Sequence, residues 1–148
     1  METILKVSKA KVYEEVAKTT EYTGAKMDDA NAYEKISTTD EDAIMLERFW
    51  NESKNTICQS MKKVLQSEEE SDGEYVLTLV LSSAFDASLK ESMERSMFSY
   101  FVMNITAKWY TFANKSEATG YATEAATYIE DIMRKAYFKK KPSRPKYD

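Results

Sequence analysis

Histidine is absent from this chain. Its absence removes the imidazole general acid or base, Ser-His triads, and the common His-containing zinc and di-iron ligand sets. A single cysteine, Cys58, excludes an internal disulfide and suits a reducing compartment. Only three glycines and two prolines occur, which favours long regular elements over a loop-rich β fold. Neither a P-loop nor a dinucleotide-binding glycine pattern is present, so no phosphate-cradling loop is signalled. No apolar run approaches the roughly 18 residues that a membrane span needs. The opening METILKVSKAK lacks the apolar core of a signal peptide, so the sequons at Asn51, Asn104 and Asn114 read as chance.

What the chain does have is the composition of one globular domain. Its 148 residues are 43% hydrophobic and 31% charged, enough to bury a real core. Charge is unevenly placed. Residues 134 to 148 hold seven Lys or Arg and one acid, a net of +6, so the remaining residues carry −10 of the overall −4. An acidic body with a basic end suggests two surfaces with different partners.

The most informative stretch is Leu89 to Phe112. Apolar side chains recur there at Leu89, Met93, Met97, Tyr100/Phe101, Ile105, Trp109 and Phe112, the three-and-four spacing of one helical face. Met97 to Met103, however, is apolar almost all round, broken only by Ser99. A helix of that kind cannot face water on any side. It is either the central rod of a bundle, or it shows one face to its own fold and another to a neighbouring subunit. On the second reading Met97, Phe98, Phe101, Val102 and Ile105 are the candidate interface residues.

Around that helix the periodicity predicts a mainly α fold. It is a four-helix domain over 1–138 with two long central helices, a minor β strand or hairpin between them, and an extended tail over 139–148. Ile4 to Val7 reads as a short strand. Ser8 caps a helix with Val12, Val16 and Tyr13 inward, and Gly24 is a plausible stop. Residues 25–38 read as a linker or short helix. Thr39, followed by Asp42, opens the next helix, with Asp40 and Glu41 at its positive dipole end. Its stripe of Ile44, Leu46, Phe49/Trp50, Ile57, Met61 and Val64/Leu65 predicts a rod to about Gln66, about 40 Å long. Ser67 to Glu74 reads as an acidic turn, carrying Glu68, Glu69, Glu70, Asp72 and Glu74. Tyr75 to Phe85 alternates, with Leu77, Leu79 and Leu81 on one face, and predicts a strand. Asp86 caps the apolar helix, Asn114 to Gly120 reads as a break, and a last helix spans Tyr121 to Phe138.

The acids at Asp28/Asp29, Asp40–Asp42 and Glu68–Glu74 could hold Mg²⁺ or act as an acid-base pair. The second group is already accounted for as helix N-terminal charge and the third as a solvated turn. Cys58 sits in an apolar helical stripe and reads as a small core residue. Trp50 and Trp109 read as core or interface anchors. No catalytic, cofactor-binding or metal-ligating residue is expected. The basic end has two readings: a solubilising tail, or a docking arm. In the arm, Lys139, Lys140, Lys141, Arg144 and Lys146 supply charge, Pro142 and Pro145 supply stiffness, and Tyr147 supplies an anchor.

At Thr39-Asp-Glu-Asp…Leu46 and at Leu89-Lys90…Ala107-Lys108-Trp109-Tyr110 the chain resembles the head–tail connector (adaptor or head-completion) proteins of tailed bacteriophages. In that family an acidic helix start opens one long helix and a looped or β excursion follows. An apolar helix ending in a Trp-Tyr pair then leads to a polar break. Here the pieces are Asp40–Leu46, Glu74–Phe85, Leu89–Tyr110 and Asn114–Glu117, within residues 39–117. The resemblance implies a structural virion protein without catalysis, made in the host bacterial cytoplasm and placed in the portal or neck region. It implies a homo-oligomeric ring of about a dozen copies, whose contacts are heterologous. Such a ring joins the portal protein to the tail or a further connector and extends a channel that DNA passes without sequence-specific binding. It also implies C-terminal segments that reach toward the portal, with no membrane partner. The alternative from the residues alone is a cytosolic helical adaptor or regulatory protein that binds one protein partner through the same apolar helix.

Overall fold

The structure, a computed structural model, describes residues 2–26, 43–113 and 115–139. The expectations for residues 27–42, including the Thr39 cap and Asp40–Asp42, and for the tail from Lys140 onward lie outside the described residues. The described chain is mainly helical with a small three-stranded antiparallel sheet. Strand β1 (Glu2–Ser8) leads into helix α1 (Lys9–Lys26). Helix α2 (Ala43–Ser60), strands β2 (Leu65–Ser71) and β3 (Glu74–Val80), and helices α3 (Lys90–Ala113) and α4 (Lys115–Ala136) follow.

β3 is the central strand, with β1 on one side and β2 on the other. The alternation that marks β1 and β3 in the sequence becomes their two faces. Leu5 and Val7 with Tyr75, Leu77 and Leu79 are buried on one side, while Ile4 and Val80 stay exposed on the other. α1 puts Val12, Val16 and Thr20 inward at a spacing of four. It runs past Gly24 to Lys26, so that glycine does not stop it.

Three expectations are corrected. The helix predicted to run to Gln66 ends at Ser60, and its 18 residues span about 27 Å rather than 40 Å. A turn over Met61–Val64 follows, held by Val64 N–H donating to Met61 O at 3.0 Å. The segment expected as an acidic turn is strand β2, paired with β3 through Glu68↔Leu77 and Glu70↔Tyr75. The turn shrinks to Asp72 and Gly73, both with positive φ (52° and 76°), the two-residue hairpin form that Asp-Gly favours. Of the break expected at Asn114–Gly120, residues 115–120 are helical, because α4 begins at Lys115. Gly120 lies within α4 where no neighbouring atom crowds it, a position that costs about 1 kcal/mol against Ala without ending the helix.

α3 resolves the choice set by its sequence. It packs against α1, α2, α4 and β1, so the helix that is apolar all round is the central rod. Met97, Phe101, Val102 and Ile105 are 0–2% exposed, all of it by contact within this chain. An interface cannot be built on side chains already enclosed by their own fold. That expectation is withdrawn for these four, leaving Phe98, which is partly buried against the core. Asp86 caps the 3₁₀ turn Ala87–Leu89 that opens α3, accepting from Ser88 N–H at 3.1 Å.

Candidate functional site

The acids of β2 were expected to face solvent together. Strand alternation instead divides them. Glu68 and Glu70 turn toward α2, and Glu69 points the other way. Glu70 accepts a hydrogen bond from the indole N–H of Trp50 at 3.1 Å and pairs with the ammonium of Lys54. Lys9, at the start of α1, lies 3.8 Å from Glu70 and pairs with Glu47 of α2. Glu47 also accepts from the hydroxyl of Tyr13 at 3.0 Å. These charges ring the fully buried Trp50, and the Lys9 ammonium sits 5.9 Å from the centre of its ring. The cluster therefore ties α1, α2 and β2 together.

A second cluster lies further along the same strand. Glu68 accepts from both the thiol of Cys58 and the hydroxyl of Tyr75, and Cys58 and Tyr75 are 2.8 Å apart. Burial, then the hydrogen bond to Glu68, push the Cys58 thiol up to about 11. A nucleophilic cysteine needs the opposite, an environment that favours thiolate. We therefore expect Cys58 to resist alkylation by iodoacetamide at pH 8, and Glu68→Gln to speed it. Mass spectrometry of timed samples checks this, and rapid labelling of the wild-type chain would refute it.

The carboxylates of these clusters also set the acid response. The Lys9 hydrogen bond holds Glu47, and the Cys58 and Tyr75 hydrogen bonds hold Glu68, below the ordinary carboxylate value of 4.5. Lys108, 3.1 Å from Glu52, does the same to Glu52. Groups with depressed folded values contribute stability that is fully present above about pH 4.5 and is lost as pH falls through those lower values. Urea unfolding midpoints should therefore hold between pH 7 and 5 and fall at pH 3.5. A midpoint that rises on acidification would contradict the assignment.

No group of three or more Cys, Asp or Glu is placed to hold a metal ion among the described residues, and the chain has no His to add. The consecutive glutamates fall on opposite faces of a strand and so cannot converge on one ion. Nor is any helix of the described residues long and apolar enough to cross a membrane.

Of the tail, only Lys139 is described. It forms an antiparallel bridge with Phe85, and the carbonyl of Phe138 accepts from Asp86 N–H at 3.3 Å. These contacts pin the end of the folded body beside the start of α3. Lys140, Lys141, Arg144, Lys146 and Tyr147 lie outside the described residues. The Trp50 cluster has no motif in the sequence. The one available signal was the Asp72-Gly73 dipeptide, which makes a hairpin of the glutamates before it.

Comparison with known protein families, with characterised proteins and with solved structures returns no match for this chain.

Proposed function

We propose that this chain is a structural virion protein, a subunit of the oligomeric ring that joins a phage portal to the tail and extends the DNA channel. The corresponding fold reading is a four-helix domain whose two long central helices are α2 and α3, with the β hairpin between them in sequence and an extended C-terminal tail. The observation that carries the proposal is the division of charge at Lys139. Four cations follow Lys139, the point where Phe85 and Asp86 pin the chain, against a body of net −10 over residues 1–133. An acidic body repels channel DNA, and a basic, proline-stiffened arm suits an acidic groove on the portal. The elements the family resemblance rests on supply the rest of the reading, and no catalytic step is assigned.

The second reading is a cytosolic helical adaptor or regulatory protein that binds one protein partner. The enclosure of Met97, Phe101, Val102 and Ile105 bears equally on both readings, since each calls on the same apolar helix, and it leaves Phe98 as the side chain of that face still partly open. Native mass spectrometry of the full chain separates the two: a ring supports the connector, while a monomer or dimer supports the adaptor.

The arm has its own test. Truncation after Lys139 keeps the bridge to Phe85, so far-UV circular dichroism should not change. Capture of a phage portal protein by the truncated chain should be lost at low salt. In the full chain that capture should weaken with added salt, since the screening length is about 8 Å at physiological ionic strength. Equal capture by truncated and full chains would leave the tail as a solubilising end.

A further inference from the structure

Among the described residues six large apolar side chains are at least 39% exposed, and they gather at the two ends of the molecule. Contacts between helices define those ends. α2 runs antiparallel to α3, since Phe49 stacks on Phe112 while Ser53 meets Tyr100 and Asn104. α4 returns antiparallel to α3, with Tyr121 stacked on Tyr110 and Asp131 bound to Ser96. The hairpin lies along the same direction. Val80 N–H donates to Val64 O just past the C-terminus of α2. At the other end Lys9 N–H donates to Gly73 O, and the Lys9 ammonium reaches Glu47 in the first turns of α2. One end therefore holds Ile4, Val80, Tyr137 and Phe138, and the opposite end holds Ile44 and Phe112.

The two ends differ in charge. Lys62, Lys63, Lys90 and Lys139 are exposed beside the first and outnumber the exposed Glu2 there, and the basic tail continues from Lys139. Toward the second, Glu69, Asp72 and Glu74 are exposed near the hairpin tip and make no ion pair among the described residues, against one exposed cation, Lys115, just past Phe112. Exposed apolar side chains beside charges of one sign fit a partner with apolar side chains and charges of the other. This molecule carries both surfaces.

We propose that copies of this chain dock head to tail, the basic apolar end of one against the acidic apolar end of the next. A recess of about 210 Å³ at the basic end, with Ile4, Phe85 and Ala87 as its apolar wall and Glu2, Thr3 and Lys90 at its polar rim, takes an apolar side chain such as Phe112 of the neighbouring copy. Pairing of like ends places like charges together, so a symmetric end-to-end dimer is disfavoured. Repeated, a heterologous contact closes into a ring or runs on as a filament. The closed form rests on the ring reading of the proposed function; the contact itself does not.

Charge-reversal exchange tests the contact in the full-length protein. One variant carries Lys62→Glu with Lys63→Glu, the other Glu69→Lys with Glu74→Lys. All four side chains are exposed, and circular dichroism checks that both variants fold. In low salt the wild type should associate by native mass spectrometry and sedimentation. Each variant alone should self-associate about tenfold more weakly or less. An equimolar mixture should associate again, because each altered end then meets an opposite charge. Phe112→Ser should weaken association without any change of charge. A wild type that remains monomeric at about 0.1 mM, a concentration that populates contacts of micromolar strength, would overturn the proposal. Assembly unchanged in both variants would overturn this interface while leaving the ring reading in place. Assembly lost in each variant, restored on mixing and accompanied by no portal capture would support the interface and sink the connector reading.

Discussion

Phe101→Ala should lower the unfolding free energy by about 3–5 kcal/mol. The side chain is fully buried, and three aromatic rings surround it: Trp50 at 4.6 Å, Tyr100 at 5.2 Å and Tyr75 at 5.8 Å between centroids. These rings come from α2, α3 and β3, so the cavity would open where helix, rod and sheet meet. The stiff aromatic neighbours cannot collapse into it, which places the cost at the upper part of the range for large-to-small changes. Edge and tilted ring contacts add about 0.5–1.5 kcal/mol per pair beyond area alone. Set against a total stability of about 5–15 kcal/mol, such a loss threatens folding at growth temperature. Phe101→Leu, which refills most of the volume, should cost far less. Urea unfolding followed by circular dichroism and tryptophan fluorescence reads both. A residue serving a subunit contact would instead leave the isolated chain's stability unchanged, so a loss below about 1 kcal/mol for Phe101→Ala would return it to an interface role.

Glu70→Ala should cost about 1–3 kcal/mol, although the residue lies on an edge strand and belongs to a run of three glutamates. Its carboxylate is the acceptor for the buried Trp50 indole N–H and the counter-charge for Lys54, whose side chain is only 19% exposed. Removing it leaves an indole donor without a partner and concentrates positive charge between Lys54 and Lys9. Glu69→Ala, one residue away and on the opposite face, should fall within about 0.5 kcal/mol of the wild type. The contrast between adjacent glutamates is the informative readout, because an acidic turn facing solvent would give the same small effect at both. Trp50 fluorescence offers a second signal, since loss of Glu70 changes the polarity at the indole nitrogen. Equal, negligible effects from the two variants would dissolve the Trp50 cluster as a structural tie.

Several elements were legible from the residues alone because their side-chain period matches their environment. β1 and β3 each have one buried and one exposed face, so Leu5, Val7, Leu77 and Leu79 announce strands. α3 declares both its length and its need for cover on every side. β2 is different. Leu65–Ser71 is exposed from Gln66 onward and has no apolar alternation, so its residues resemble a solvated turn. Its strand conformation comes from pairing with β3, and its glutamates are held by Trp50, Lys54, Cys58 and Tyr75. Gly120 hides the start of α4, because an isolated glycine has the local signature of a breaker. Packing on α3, with the Tyr110–Tyr121 stack beside it, carries the helix through that glycine.

By itself the sequence determined that the fold is mainly helical, that strands precede α1 and α3, that the helix around Phe101 must be covered all round, and that charge is split between an acidic body and a basic end. Tertiary structure decided that the cover comes from this chain's own α1, α2, α4 and β1. It also decided that Glu68 and Glu70 belong to a polar seam and that exposed apolar groups collect at two oppositely charged ends. The reason is that periodicity records which side of an element avoids water, a property of neighbours along the chain. What lies across that side is set by packing between residues far apart in sequence.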